Sequence, residues 1–241
     1  CALPILVKSL VFVRFLSASG PYTGNLLRPS SMRGTKAVGK HPEKIAWLQC
    51  VGSREINRCD NGYCSSVCCM YAVKQAVMAK DHSDTPLACT IFYMDMRTQG
   101  KDFDRYYDNA QKKKKKKKSG VRFIPSRIHT GESVSGTDDL RLRYIDKDGV
   151  TKAETFDMVV LSTGLEISRD TVQLSETLGI DLDKYHFTDT GSFHPVASSV
   201  PGIYACGVLH GPKDIPQSVM EASAADCAAT EKLAPVRNSQ T

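Results

Sequence analysis

No uninterrupted apolar run in this 241-residue chain is long enough to cross a bilayer. The most apolar early stretch, Ala2–Leu16, is broken by Lys8 and Arg14. A secretory signal pattern is absent as well. Nine cysteines without one argue for a reducing, cytoplasmic setting rather than a disulfide-stapled secreted domain. The chain has no G-x-G-x-x-G, so the phosphate turn of a first dinucleotide-binding unit is missing from it. It does not begin with Met, and Cys1 reads as the start of a fragment. General basic character is also lacking. The net charge of +6 owes seven charges to the single run Lys112–Lys118, and falls to −1 without it. That run has no interleaved aromatics, which argues against a nucleic-acid partner.

What the chain does have is concentrated between Ile45 and Lys80. A short apolar run, Ile45–Leu48, reads as a buried strand, and Ser66–Lys80 reads as a helix. Between the strand and the body of the helix lie Cys50, Cys59, Cys64, Cys68 and Cys69. Strand, loop and helix in that order is where a dinucleotide-binding unit places its glycine-rich turn. Only Gly52 remains of such a turn, and thiols fill the rest. On a helix, Cys64 and Cys68 would share a face, with Cys69 about 100° further round. Asn61-Gly62 lets the chain turn back before them. A helix N-terminus favours negative charge, which suits thiolates. Inert burial is the reading for Cys1, Cys89 and Cys227. For the clustered thiols, disulfides, zinc and iron–sulfur ligation are the alternatives. Adjacent cysteines are unusual for zinc and form a poor redox pair, so four-thiolate iron–sulfur ligation fits the spacing best.

The remaining elements alternate. Residues 1–44 read as a connecting segment, with Ser9–Leu16 as a helix or strand within it. Thr90–Asp95 and Val121–Ile124 read as strands flanking a helix from Asp102 to about Ser119. Leu140–Ile145 and Val150–Phe156 form an expected hairpin, and Met158–Ser162 a buried strand running into Thr163-Gly164. Residues 45–164 thus have the order of a Rossmann-like domain with a parallel sheet. Residues 165–241 form a second part. In it Ser168–Leu178 is a helix closed by Gly179, Pro201–Gly207 a strand, and Gln217–Ala229 a helix that Asp214 caps and Pro216 opens.

The words LSASGP, IAWLQCVGSRE, GYCSSVCCMYAVKQA, FYMDMRTQGKDF and GPKDIPQSVMEASAA resemble the flavoprotein subunit of heterodisulfide reductases, from about Phe15 to Ala229. The resemblance implies an α/β, thioredoxin-reductase-like, two-domain flavoprotein. Residues 45–164 would be the insert domain carrying the iron–sulfur cluster, 165–241 the C-terminal part of the FAD-binding domain, and 1–44 a segment bordering it. It implies FAD and a [4Fe–4S] cluster that exchange electrons. Partners would be the other subunits of a redox complex, with a homodimer inside it. The family's pattern of one distant cysteine followed by C-x₃-C-C falls on Cys50, Cys64, Cys68 and Cys69, leaving Cys59 spare. FAD contacts are implied at Thr163, Gly164, Gly207, Val208, Gly211, Pro212, Lys213, Asp214, Ile215 and Pro216. Lys213 is the candidate catalytic group, a cation beside an anionic reduced flavin, and His210 lies near that motif. With thiols at the phosphate turn, NAD(P)H is not expected to bind the insert domain. The alternatives are a thiol–disulfide oxidoreductase and a zinc-stapled structural module.

Overall fold

The computed structural model describes residues 5–29, 40–112 and 120–237. Lys113–Lys118 of the lysine run lies outside them. The chain divides into two compact units, residues 1–62 with 68–164, and residues 63–67 with 165–241. Among the described residues no helix is long and apolar enough to cross a membrane.

The first unit is built on a parallel sheet. Its strands are β1 (Leu6–Lys8), β2 (Lys44–Val51), β3 (Ala88–Tyr93), β4 (Arg122–Pro125) and β8 (Met158–Thr163), in the order β1-β8-β2-β3-β4. Both faces of β2 are apolar because both are covered. Ile45 and Trp47 face one side with Ile91, Met158 and Val160, packed against α1 (Ser9–Leu16) and α3 (Cys68–Asp81). Ala46 faces the other with Phe92 and Val159. That second face is covered by the antiparallel sheet β5 (Gly131–Ser133), β6 (Leu140–Ile145) and β7 (Thr151–Phe156). Leu140, Leu142 and Tyr144 of β6 alternate inward onto it. The helix α4 (Phe103–Gln111) completes the helical side through Ala110.

Helix α3 lies close to the sheet because Ala72, Ala76 and Ala79, on one face at helical spacing, are fully buried. One polar pair is locked into this contact. Trp47 Nε1 donates to Gln75 Oε1 at 3.1 Å, and Gln75 Nε2 donates to the Ser9 carbonyl at 3.2 Å. Phe12 meets Trp47 edge-on, with centroids 5.4 Å apart. Leu6–Leu16 therefore forms a strand and a helix within the first unit, where the sequence suggests part of a connecting segment. The cause is local. Ile5 and Val7 alternate inward, and Phe12, Phe15 and Leu16 make one apolar stripe.

In the second unit α5 (Arg169–Leu178) is capped by Ser168, whose side chain accepts from Thr171 N at 3.2 Å. It ends at Gly179, whose φ of +71° is left-handed. The strand expected over Pro201–Gly207 is reduced to a single bridge between Ala197 and Tyr204, followed by a 3₁₀ turn at Gly207–Leu209. Its backbone groups bond instead to nearby turns, as in Ser198 N to Ile203 O and Ala205 N to Val196 O. The unit closes with α6 (Ile215–Leu233), whose Pro216 occupies the first turn.

Replacing Gln75 by Leu keeps the volume but strands the Trp47 N–H without a partner and removes the side-chain bond to the Ser9 carbonyl. A loss of about 1–3 kcal/mol is expected. Trp47 is the sole tryptophan, so urea unfolding followed by its fluorescence reads this contact directly. An unchanged midpoint would show that the pair contributes nothing.

Candidate functional site

The end of β2 departs from regular strand geometry. The register with β8 shifts between Leu48 and Val51, the mark of a bulge. Within that bulge Cys50 has φ +59°, a left-handed conformation costing of order 1–3 kcal/mol in a non-glycine residue. Gly52 follows at +74° and Arg54 at +54°. A bulge re-aims a side chain, and here the side chain concerned is the buried thiol of Cys50.

Helix α3 begins at Cys68, two residues later than the sequence suggests, because Ser66 is left-handed at φ +66°. Cys64 is therefore not on the helix and shares no helical face with Cys68. Cys68 and Cys69 are its first two residues, both buried, where backbone N–H groups point free. The Cys69 thiol is lowered to about 7, first by a hydrogen bond from Cys68, against the opposing effect of burial, with help from the Arg97 N–H. As a thiol it donates to the Asp95 carbonyl at 3.9 Å. Tyr71, one turn on, donates to the Thr163 carbonyl. Burial drives its hydroxyl well above the usual range, and negative charge at Cys68, Cys69 and Cys50 adds to that shift. Among the described residues, no three His, Cys, Asp or Glu side chains are gathered to hold a single metal ion. Cys89, in contrast, is an inert core thiol, pushed up to about 12 by burial.

A cavity of about 490 Å³ opens at the carboxyl ends of β2, β3 and β4. Cys50, Gly52, Arg58, Cys59, Arg127 and His129 contribute to its lining. Cys59 is exposed, on the short helix α2 (Ile56–Cys59).

Cys64 lies in the stretch 63–67, which belongs to the second unit. Tyr63 anchors that stretch. Its ring packs edge-on against Tyr185 and Phe187, and its hydroxyl donates to Leu165 O at 2.8 Å. Ser65 Oγ accepts from Leu165 N at 3.1 Å. The sequence motif shows the thiols but not this anchor.

Thr163 and Gly164 belong to the first unit, where Gly164 N donates to Val51 O at 3.3 Å. The other implied FAD residues lie in the second unit. Gly207 has φ +66°, and Val208 continues its 3₁₀ turn. A Cβ built at Gly211 meets no atom within 4 Å. Gly211 and Pro212 lead to Lys213 and the cap residue Asp214, which accepts from Gln217 N at 2.9 Å. Ile215 and Pro216 then open α6, with Ile215 largely exposed.

Lys213 is no free surface lysine. Its side chain is only 9% exposed, and its ammonium pairs with Glu221. His210 Nδ1 lies 3.0 Å from Lys213 Nζ and 3.2 Å from Glu221 Oε1, while His210 Nε2 contacts Thr190 Oγ1 at 3.0 Å. Glu221 also accepts from Gly207 N at 2.9 Å. Burial pushes the Glu221 carboxyl up, but Lys213, the Gly207 N–H and His210 outweigh it and hold the group below its ordinary value. Sequence reading missed Glu221. Its only signal is its place two helical turns beyond Asp214, on the same side of α6.

Curated relatives share most of this chain. A CoB–CoM heterodisulfide reductase iron-sulfur subunit of Methanopyrus kandleri is 37% identical over 95% of it. A protein of Archaeoglobus profundus, named for its likeness to a heterodisulfide reductase subunit, is 35% identical over 96%. The chain covers 33% and 34% of those two proteins, so it spans about a third of their length. Among solved structures, Lactococcus lactis thioredoxin reductase in its FR conformation aligns with a TM-score of 0.50 at 19% identity. That alignment covers 79% of this chain and 52% of the other, and identifies the fold as the α/β type of that reductase. The family model for pyridine nucleotide-disulphide oxidoreductases matches residues 47–225. The chain belongs to the pyridine nucleotide-disulphide oxidoreductase family.

Proposed function

We propose that this chain is the cluster-bearing part of a heterodisulfide-reductase-type flavoprotein subunit, holding a [4Fe–4S] cluster on Cys50, Cys64, Cys68 and Cys69 and contacting FAD around Gly207–Pro216. The observation that carries the reading is the placement of three buried thiols, Cys50 at the bulged end of β2 and Cys68 and Cys69 in the first turn of α3, the helix packed against β2. The donor chemistry fits. None of the three is tied into a disulfide. Four-thiolate ligation assigns each sulfur to a different iron, so the thiols need not crowd as they would around one ion. The four-residue spacing tethers Cys64 to Cys68 along the chain. The Methanopyrus kandleri relative is named an iron-sulfur subunit, which supports the same reading.

When bound, the cluster passes single electrons and the flavin couples one- and two-electron chemistry. The chain's own contribution is placement and charge. The start of α3 offers free N–H groups to thiolates. The open side of Gly211 and the left-handed turn at Gly207 leave room for a flat cofactor beside the Lys213–Glu221 pair. Partners would be the other subunits of such a complex, with a homodimer inside it and a cytoplasmic setting. The heterodisulfide chemistry itself would belong to those partners.

Three outcomes test this. Cys68→Ser is expected to abolish the broad iron–sulfur absorbance, whereas Cys59→Ser leaves it. Loss with Cys59→Ser but not with Cys50→Ser would overturn the ligand assignment. NADH is expected not to bind the first unit in the micromolar range by calorimetry, since thiols occupy the phosphate end of α3. Micromolar binding there would count against the rebuilt turn. Lys213→Ala is expected to keep FAD but lower its two-electron potential, more so because Glu221 then loses its ammonium partner. Preferential stabilisation of about 1.4 kcal/mol corresponds to roughly 30 mV. Spectroelectrochemical titration of the full-length protein reads the shift, and an unchanged potential would place Lys213 away from the flavin.

A further inference from the structure

The thiols have a built-in counter-charge that the motif does not announce. Arg54 follows Cys50 by four residues, in the turn that leaves β2, and its backbone is left-handed at φ +54°. Only a well-determined surrounding keeps a non-glycine residue there. The surrounding here is Asp95, just beyond β3. Its carboxylate pairs with the Arg54 guanidinium through Oδ1 and with Arg97 Nε through Oδ2 at 3.0 Å. The Asp95 carbonyl is also the group that Cys69 Sγ contacts at 3.9 Å. One residue therefore touches the thiol with its backbone and holds the guanidinium with its side chain. Two guanidinium groups against one carboxylate leave this triad with one net positive charge. The Arg54 side chain is 24% exposed, so its field is only partly screened by water. The next residue, Glu55, is fixed in turn by Arg127 Nη2 at 2.6 Å, which braces the turn.

Resting on the cluster reading above, we propose that Arg54, held by Asp95, is a positioning residue whose charge sets the reduction potential of the thiolate-bound cluster. Reduction adds one electron and no proton, so the cluster gains one full negative charge. A fixed cation beside it stabilises the reduced form more than the oxidised one. Arg54 touches no reacting atom in this account and acts only through its field. Asp95 fixes the distance, since its carbonyl takes the Cys69 thiol while its carboxylate holds the guanidinium. The paired carboxylate keeps the guanidinium from swinging to solvent, and Arg97 supplies the charge that Asp95 would otherwise cancel.

The test is a potentiometric titration of the iron–sulfur-loaded chain with dithionite as reductant, followed by EPR of the reduced cluster. Arg54→Gln is expected to lower the potential. A tenfold fall in the reduced-to-oxidised ratio at the wild-type midpoint is about 59 mV for a one-electron couple. Arg54→Lys restores most of it. Asp95→Asn keeps an oxygen for Arg54 but removes a negative charge, and shifts the potential the opposite way. A structural disturbance would move the Gln and Asn variants in the same direction. Same-sign shifts, or an unchanged potential in Arg54→Gln with the cluster bound, overturn the role of Arg54 and leave the cluster reading intact. If Arg54→Gln loads no cluster, Arg54→Lys and Asp95→Asn decide: a small fall or no shift in the first with a rise in the second supports the role, and any other result overturns it. Wild-type chain reconstituted without bound iron and sulfide sinks the cluster reading, and this inference with it.

Discussion

Everything in the first unit depends on how closely α3 lies on β2. Alanines at 72, 76 and 79 remove the side chains that would hold the helix off, and the Trp47–Gln75–Ser9 hydrogen bonds fix its rotation. Fixing rotation fixes where the helix begins and what its first residues face. Cys68 and Cys69 are those residues. A helix free to turn by one residue would carry Cys69 about 100° away from Asp95. The buried polar pair thus contributes more to the site's geometry than to stability, where a satisfied hydrogen bond is worth about 1 kcal/mol.

The same constraint explains the strain at Cys50. The strand must stay in register with β3 and β8 up to Leu48, because Trp47 and Ala46 serve opposite faces. Beyond Leu48 that demand ends, and the bulge and the left-handed residues at 50, 52 and 54 follow within a few positions. Along β2 the left-handed residues begin only at its end, where the chain carries Cys50 and a charged turn. Regular packing on one side of Leu48 is what holds the irregular backbone on the other.

Much of the sheet was legible, for a physical reason. Strands covered on both faces read as continuous apolar runs, so 45–48, 90–95 and 158–162 stand out without any partner being known. The three-residue strand Gly131–Ser133 gives no such run, and Leu6–Lys8 merges into the apolar stretch that continues as α1, so neither stands out as a strand. The helix start was misplaced because a period of 3.6 cannot reveal a single left-handed residue, and Ser66 is one. The thiols were legible by residue type, but the anchor of Cys64 was not. Tyr63 finds Tyr185 and Phe187 more than a hundred residues away, and nothing in local spacing encodes such a contact. Lys213 was visible as a charge in a glycine- and proline-rich word. Its partner was hidden in an alanine-rich helix whose pattern reads as simple packing.

The two charged centres are organised in opposite senses, and the difference has a consequence. Lys213 meets one carboxylate, Glu221, which also takes the Gly207 N–H and lies against His210. With one ammonium and one carboxylate that centre is close to neutral, so its influence is a dipole that falls quickly with distance. It would favour negative charge only in a group close to the ammonium end. Arg54 shares its carboxylate with Arg97, and the surplus charge acts as a monopole. A monopole decays more slowly and depends less on orientation. It therefore suits an anionic cluster, whose charge is spread over many atoms. A dipole suits a planar ring that gains its charge at one edge. In the proposed reading neither cation touches the group it would serve, and each has only to be held still. Asp95 and Glu221 do the holding, and each also bonds to or contacts the backbone or thiol of the site it frames.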